Sequence, residues 1–152
     1  MKSLPRQNNK KSYEPRGALW VSLEFQGVPI HIMNTHLSIW PKERMAQVKE
    51  LLNQQWLNLQ DQKGPFILCG DFNAMPGSLV YDTICEKFKD SQNSLAGHKP
   101  YGTWFGRYPL TQIDHVFINS FLQVNSIFIP RTSLEKIASD HLPLVVDLSL
   151  KD

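Results

Sequence analysis

At 152 residues, 41% of them apolar and 20% charged, the chain has the length and balance of one globular domain with a real core, which excludes a disordered polymer. A formal net charge of +2 is too weak to serve as a footprint for long nucleic acid, and no apolar run approaches a transmembrane segment. Two cysteines, Cys69 and Cys85, cannot build a disulfide framework and have no partner at zinc-ligand spacing; with no signal-peptide core at the start, they point to a reducing, cytoplasmic setting. Residues 1–13 are polar and carry Lys2, Arg6, Lys10 and Lys11, which reads as a solvated arm, with a phosphate-contacting arm as the alternative. Residues 14–152 then form the domain. Residues 18–25 alternate and are rich in strand formers, Gln26-Gly27 is a turn signal, and residues 28–34 form a second strand, so the pair reads as a hairpin. After a loop over 35–40, Pro41 and Glu43 suit a first helical turn, and Met45, Val48, Leu51, Leu52, Trp56 and Leu59 predict an amphipathic helix over about 41–60. Residues 66–69 (Phe-Ile-Leu-Cys) are wholly apolar, as a strand covered on both faces would be, which implies a buried thiol at Cys69.

Beyond this strand the chain turns at Pro76 and Gly77, and Ser78 is placed to cap a short helix running to about 88. Residues 90–101 are polar and irregular. Short strands are expected over 103–105, 113–118, 123–129 and 142–150, with a loop and one helical turn over 131–139. Strands separated by a helix and mixed with hairpins predict a layered α/β architecture.

The chemistry-bearing residues collect at strand ends. Gly70-Asp71-Phe72-Asn73 leaves the apolar strand, and in an extended segment Asp71 and Asn73 would face one side; an Asx turn closing the strand uses the same residue types. Asp140 and His141 are neighbours and should diverge, each needing a separate partner: Asp140 suits a hard cation, His141 a proton-transfer or phosphate-contacting role. Asp114 sits among strand formers, where a charge needs a partner; accepting a proton from His141 would fix that ring. His115 should face away and be structural. His36 follows Asn34-Thr35 and joins the set as a phosphate donor. Crowded carboxylates need a cation or a protonated group beside them, so these strand ends suggest metal-assisted phosphoryl hydrolysis. There is no Gly-x-Ser-x-Gly elbow, P-loop or His-Glu-x-x-His helix to support other machinery.

Asn-Thr-His-Leu at 34–37, Gly-Asp-Phe-Asn at 70–73, Ile-Asp-His-Val-Phe at 113–117 and Ser-Asp-His-Leu-Pro at 139–143, in this order, resemble the endonuclease/exonuclease/phosphatase superfamily. That superfamily includes DNase I-like nucleases, abasic-site endonucleases, sphingomyelinases, inositol-polyphosphate phosphatases and deadenylases. The resemblance covers about residues 14–150. It implies a DNase I-like αββα sandwich, phosphoester hydrolysis and dependence on Mg2+ or Mn2+. By motif, Asp71 would position or deprotonate the attacking water or protonate the leaving oxygen, Asn73 would hold the phosphoryl group, and Asp140 would bind the metal. His141, oriented by Asp114, would contact the phosphate or assist proton transfer, and His36 would stabilise developing charge. The family's early Asn and its Gln-Glu motif, which carries the main metal-binding Glu, do not appear before residue 14, so the chain looks like the C-terminal portion of the domain, with weakened metal binding and impaired turnover. The second sheet of such a sandwich would expose an apolar face, which predicts self-association or pairing with an N-terminal partner fragment. A non-catalytic half-domain or binding module is the alternative to a phosphodiesterase, nuclease or phosphatase. The aromatic stretch 101–108 would line the pocket mouth, where Arg107 either meets a second phosphate or lies over the aromatics.

Overall fold

A computed structural model describes residues 1–6, 14–53 and 64–151. Its main sheet has six strands in the order β1-β2-β3-β4-β6-β5: β1 Lys2–Ser3, β2 Gly17–Phe25, β3 Val28–His36, β4 Phe66–Asp71, β5 Lys89–Asp90 and β6 Asp114–Ile118. A separate antiparallel pair is formed by β7 Leu122–Phe128 and β8 Val145–Leu150. The helices are α1 Pro41–Leu51, α2 Leu79–Cys85, α3 Ser91–Ser94 and α4 Ser133–Ala138. The architecture is the expected mixed α/β one.

The β2–β3 hairpin follows from its two-residue turn. Gln26 and Gly27 both have positive φ (54° and 78°), the twist-matched geometry that joins Phe25 directly to Val28. β3 then runs parallel to β4, with α1 in the connection. Gly70 is obligatory in β4. A Cβ there would lie 1.9 Å from the Thr35 carbonyl oxygen, at a φ of +133° that other residues rarely adopt.

One face of the sheet makes the core. Met33, Phe66, Leu68 and Phe117 are at most 1% exposed and join Val48 and Leu51 of α1 and Val80, Tyr81 and Ile84 of α2 in one cluster. Truncating one of these buried phenylalanines to Ala would cost about 3–5 kcal/mol. The alternate residues of β2 look the other way: Leu19, Val21, Leu23 and Phe25 are 41–48% exposed, a row of large apolar side chains on one strand.

Several boundaries differ from the sequence reading. Residues 2–5 are not a free arm. Lys2 and Ser3 pair with Ala18 and Gly17, Leu4 is buried, and the Pro5 carbonyl accepts from Gln47 Nε2. The basic residues flanking this apolar Leu-Pro step concealed it; residues 7–13 of the arm lie outside the described residues. β3 extends through His36, because Thr35 and His36 pair with Gly70 and Asp71. α1 is described to Leu51, so the part of the predicted helix at 54–60 also lies outside the described residues. Ser78 caps α2 as expected, accepting from the Tyr81 N–H, but the helix ends at Cys85. The 90–101 stretch is ordered by β5 and α3, and the expected strand at 103–105 reduces to bridges at Trp104. Cys69 is a half-buried thiol, not a fully buried one. Among the described residues no helix is long and apolar enough to cross a membrane.

Candidate active site

Strand direction gathers the site. β3 and β4 are parallel, so their C-terminal residues His36 and Asp71 are register partners; β6 is antiparallel to β4, so its first residue, Asp114, stands opposite Asp71. His36, Asp71 and Asp114 therefore form one row across a single sheet edge. The fourth member arrives from outside the sheet. The backbone of His141 bridges Trp104, the Leu142 N–H donates to the Thr103 carbonyl, and His141 Nδ1 lies 2.8 Å from Asp114 Oδ2.

Distances within the cluster are short. His36 Nε2 is 3.2 Å and His141 Nε2 3.9 Å from Asp71 Oδ2. The buried Thr103 hydroxyl donates to Asp114 Oδ2 at 2.6 Å, so Asp114 holds both a hydroxyl and the imidazole. Beside the row lies a cleft of about 320 Å³ lined by Asn34, Cys69, Gly70, Asp71, Asp114 and Leu142, among others.

Burial pushes the Asp71 carboxyl up; the Asn73 N–H opposes this, the Asp114 charge adds to it, and His36 and His141 pull it back. For His141, partial burial acts to lower the ring, but its hydrogen bond to Asp114 and the charges of Asp114, Asp71 and Asp140 outweigh that and hold it above the ordinary imidazole range. The site thus holds an imidazole biased toward its charged form beside a carboxyl biased toward its neutral one.

Asn73 departs from the extended geometry. It turns into the left-handed region (φ 48°), its N–H donates to Asp71 Oδ1 at 2.8 Å, and its Nδ2 donates to the Leu37 carbonyl at 3.0 Å and lies 3.4 Å from Asp71 Oδ2. This is an Asx turn, the structural one of the two readings of the Gly-Asp-Phe-Asn motif, and it stands beside the clustered carboxylates. Asp140 is exposed; its carbonyl accepts from the Gly106 N–H, and its charge reaches His141 although its carboxylate stands apart from the central set. Arg107 is exposed on the segment between Trp104 and Asp114. His115 turns away into the core, as expected of its place beside Asp114.

Sequence reasoning missed Thr103 and a polar clamp on α1. Gln47 is wholly buried, with Oε1 accepting from the Ser38 N–H and Nε2 donating to Glu43 and to the Pro5 carbonyl. Arg44 Nη1 donates to the Ser38 and Ile39 carbonyls; burial lowers its pKa and the Asp71 charge draws it back up. These residues hold the loop that follows His36. Their only signal was polar spacing at i and i+3 or i+4 along a helix, which ordinarily marks a solvated face.

Asp71, Asp114 and His141 each offer a ligand atom, all within 4.8 Å of one another. Two carboxylates directly opposed across a sheet repel, and a hard divalent cation relieves that cost while accepting oxygen donors, so the donor chemistry fits Mg2+ or Mn2+.

A model of the Endonuclease/Exonuclease/phosphatase family matches residues 6–141. A functionally unknown conserved protein from Enterococcus faecalis V583 has a similar structure (TM-score 0.78, 28% identity), covering 95% of this chain and 60% of that one. The human nocturnin catalytic domain, solved with a bound sulfate anion, is similar at a TM-score of 0.72 and 30% identity, covering 91% of this chain and 54% of that one. The uncharacterized protein YbhP of Escherichia coli K12 is 25% identical over 139 residues, 90% of this chain and 54% of its own length. The chain spans a little over half the length of these relatives.

Proposed function

We propose that this chain, which belongs to the Endonuclease/Exonuclease/phosphatase family, carries the bond-cleaving edge of a divalent-metal-dependent phosphoester hydrolase. The observation that carries this reading is the Asp114–His141 pair at 2.8 Å with Asp71 in the same cluster. Asp114 accepts the Nδ1–H of His141, which leaves Nε2 turned toward Asp71. A phosphoryl group bound beside Asp71 would accept hydrogen bonds from His141 and His36, which oppose the negative charge that develops on its oxygens. Asp71, poised by burial, orients the attacking water and takes its proton, or returns a proton to the leaving oxygen. Asn73 donates one amide hydrogen to the Leu37 carbonyl, and the other, which lies along the longer contact to Asp71 Oδ2, would pass to a phosphoryl oxygen on binding. Asp71 and Asp114 would hold a Mg2+ or Mn2+ ion, which Asp140, standing apart, would reach through water. Such an ion supplies Lewis-acid polarisation of a phosphoryl oxygen. Arg107 would meet a second phosphate on the substrate.

The test is cleavage of bis-p-nitrophenyl phosphate in the presence of Mg2+ or Mn2+. Turnover that disappears in Asp71→Ala and in His141→Ala is expected; turnover indifferent to both substitutions would defeat the assignment. A second reading is favoured by the exposed β2 row of Leu19, Val21, Leu23 and Phe25: the chain is a half-domain whose apolar face is covered by a partner fragment or by a second copy, and which turns over only then. Light scattering separates the two, since a strictly monomeric, cooperatively melting chain contradicts the second.

A further inference from the structure

We infer that Asp90 is a positioning residue for Asp71 and Asn73, acting through His115 on the Ala74 carbonyl; its bearing on catalysis rests on the function proposed above, its bearing on the turn does not. Asp90 is 3% exposed and sits where β5 meets α3. Its Oδ1 accepts from the Gln92 N–H at 2.9 Å. Its Oδ2 accepts from Tyr81 Oη at 3.0 Å and Gln112 Nε2 at 3.2 Å, and lies 3.0 Å from His115 Nδ1. One carboxylate thus ties together α2, β6 and the segment that leads into Asp114. Such a density of donors compensates the removal of its charge from water.

The far side of His115 reaches the site. Nε2 lies 2.8 Å from the Ala74 carbonyl, which can only accept, so the ring donates there from Nε2. The ring is fixed among Phe72, Tyr81 and Phe117, with centroids 5.9, 5.1 and 5.2 Å away. Ala74 immediately follows Asn73. The turn from Asp71 to Ala74 is also held by the Leu37 N–H on the Asp71 carbonyl, the Phe72 N–H on the Ile113 carbonyl, the Asn73 N–H on Asp71 Oδ1 and Asn73 Nδ2 on the Leu37 carbonyl, none of which reaches Ala74. The His115 bond is the anchor from inside the core. A left-handed Asn73 is costly unless its flanks are held, and loss of the Ala74 bond frees one flank.

The experiment is nuclear magnetic resonance on the full chain. In the unmodified protein a through-hydrogen-bond coupling between the His115 ring N–H and the Ala74 carbonyl is expected; its absence overturns the inference outright. In His115→Phe, which keeps an aromatic ring but no donor, the Met75 amide should move, because it shares a peptide plane with the Ala74 carbonyl. Exchange of the Phe72 amide should accelerate about tenfold, with the β7–β8 amides unchanged. Asp90→Asn should reproduce this with His115 in place, and His115→Gln, which retains a donor, should recover part of the protection. Unchanged exchange over 71–75 in His115→Phe, or acceleration spread equally over β7–β8, overturns a positioning role. If Asp90→Asn does not fold, His115→Phe and the coupling decide. Should the unmodified chain prove inert toward bis-p-nitrophenyl phosphate, the proposed hydrolase fails while the exchange result still settles the positioning.

Discussion

Two of the aspartate–histidine pairs, each using one of two adjacent residues of β6, differ in almost everything except composition. In the inner pair, Asp90 and His115 have side chains 1% and 0% exposed; in the outer pair, Asp114 and His141 are 21% and 28% exposed. The spacing within each pair is nearly the same, 3.0 Å inside and 2.8 Å outside. The inner ring has both nitrogens committed, to Asp90 and to the Ala74 carbonyl. The outer ring has one nitrogen committed and the other directed at Asp71, 3.9 Å away. A pair whose hydrogen bonds are exhausted can only hold structure, whereas a pair with a nitrogen left over can exchange a proton with a ligand. Neighbouring residues of β6 supply both, because His115 and Asp114 project to opposite faces of the strand.

The contrast breaks most sharply in stability. His115→Ala strands a buried carboxylate and opens a cavity among Phe72, Tyr81 and Phe117, and should cost about 3–5 kcal/mol in a denaturant melt. The same substitution at His141 should cost under about 1 kcal/mol, since both partners reach solvent. Equal losses at the two sites would refute the division of roles.

Activity should invert that order. Asp71→Ala and His141→Ala are expected to reduce phosphodiester cleavage by about 10²–10⁴-fold at unchanged stability. Chelation of divalent cations should remove the activity of the unsubstituted chain, and readdition of Mg2+ or Mn2+ should restore it.

A smaller effect lies in pH. The His141 pKa is raised above its ordinary value of 6.5, so its contribution to stability is fully present below that value and is lost as pH rises through the higher folded value. Asp114→Asn removes the charge and leaves at most a neutral, weaker hydrogen bond, and should bring the ring's titration, followed by proton resonance, back toward 6.5. A ring that titrates unchanged in Asp114→Asn would show that the pairing has no electrostatic consequence. The smallest effect on stability belongs to the exposed strand: Val21→Ser with Leu23→Ser should alter the melt by under about 1 kcal/mol while shifting any associated species toward monomer in light scattering.

Where a local rule was sufficient, the chain alone singled out residues that the fold brings together. An apolar strand running into Gly-Asp marks Asp71 without any knowledge of its neighbours, since Gly70 has to admit the Thr35 carbonyl; the flanking β-branched and aromatic residues likewise mark Asp114 as a charge in need of a partner. Asp90 gave no such sign, because at the start of a polar stretch a carboxylate resembles any loop residue. Glu43 and Gln47 looked like the wet side of a helix, yet they are at most 1% exposed, because the Leu37–Trp40 loop and Pro5 close over them. Residue types and their order were therefore enough for the fold class and for the candidate catalytic groups. Register, strand direction and burial came from packing: they align His36, Asp71 and Asp114 in one row and assign one histidine to the core and its counterpart to the partly exposed sheet edge beside Asp71. Side-chain periodicity is a property of neighbours along the chain, whereas solvation and hydrogen-bond partnership depend on segments that meet only after folding.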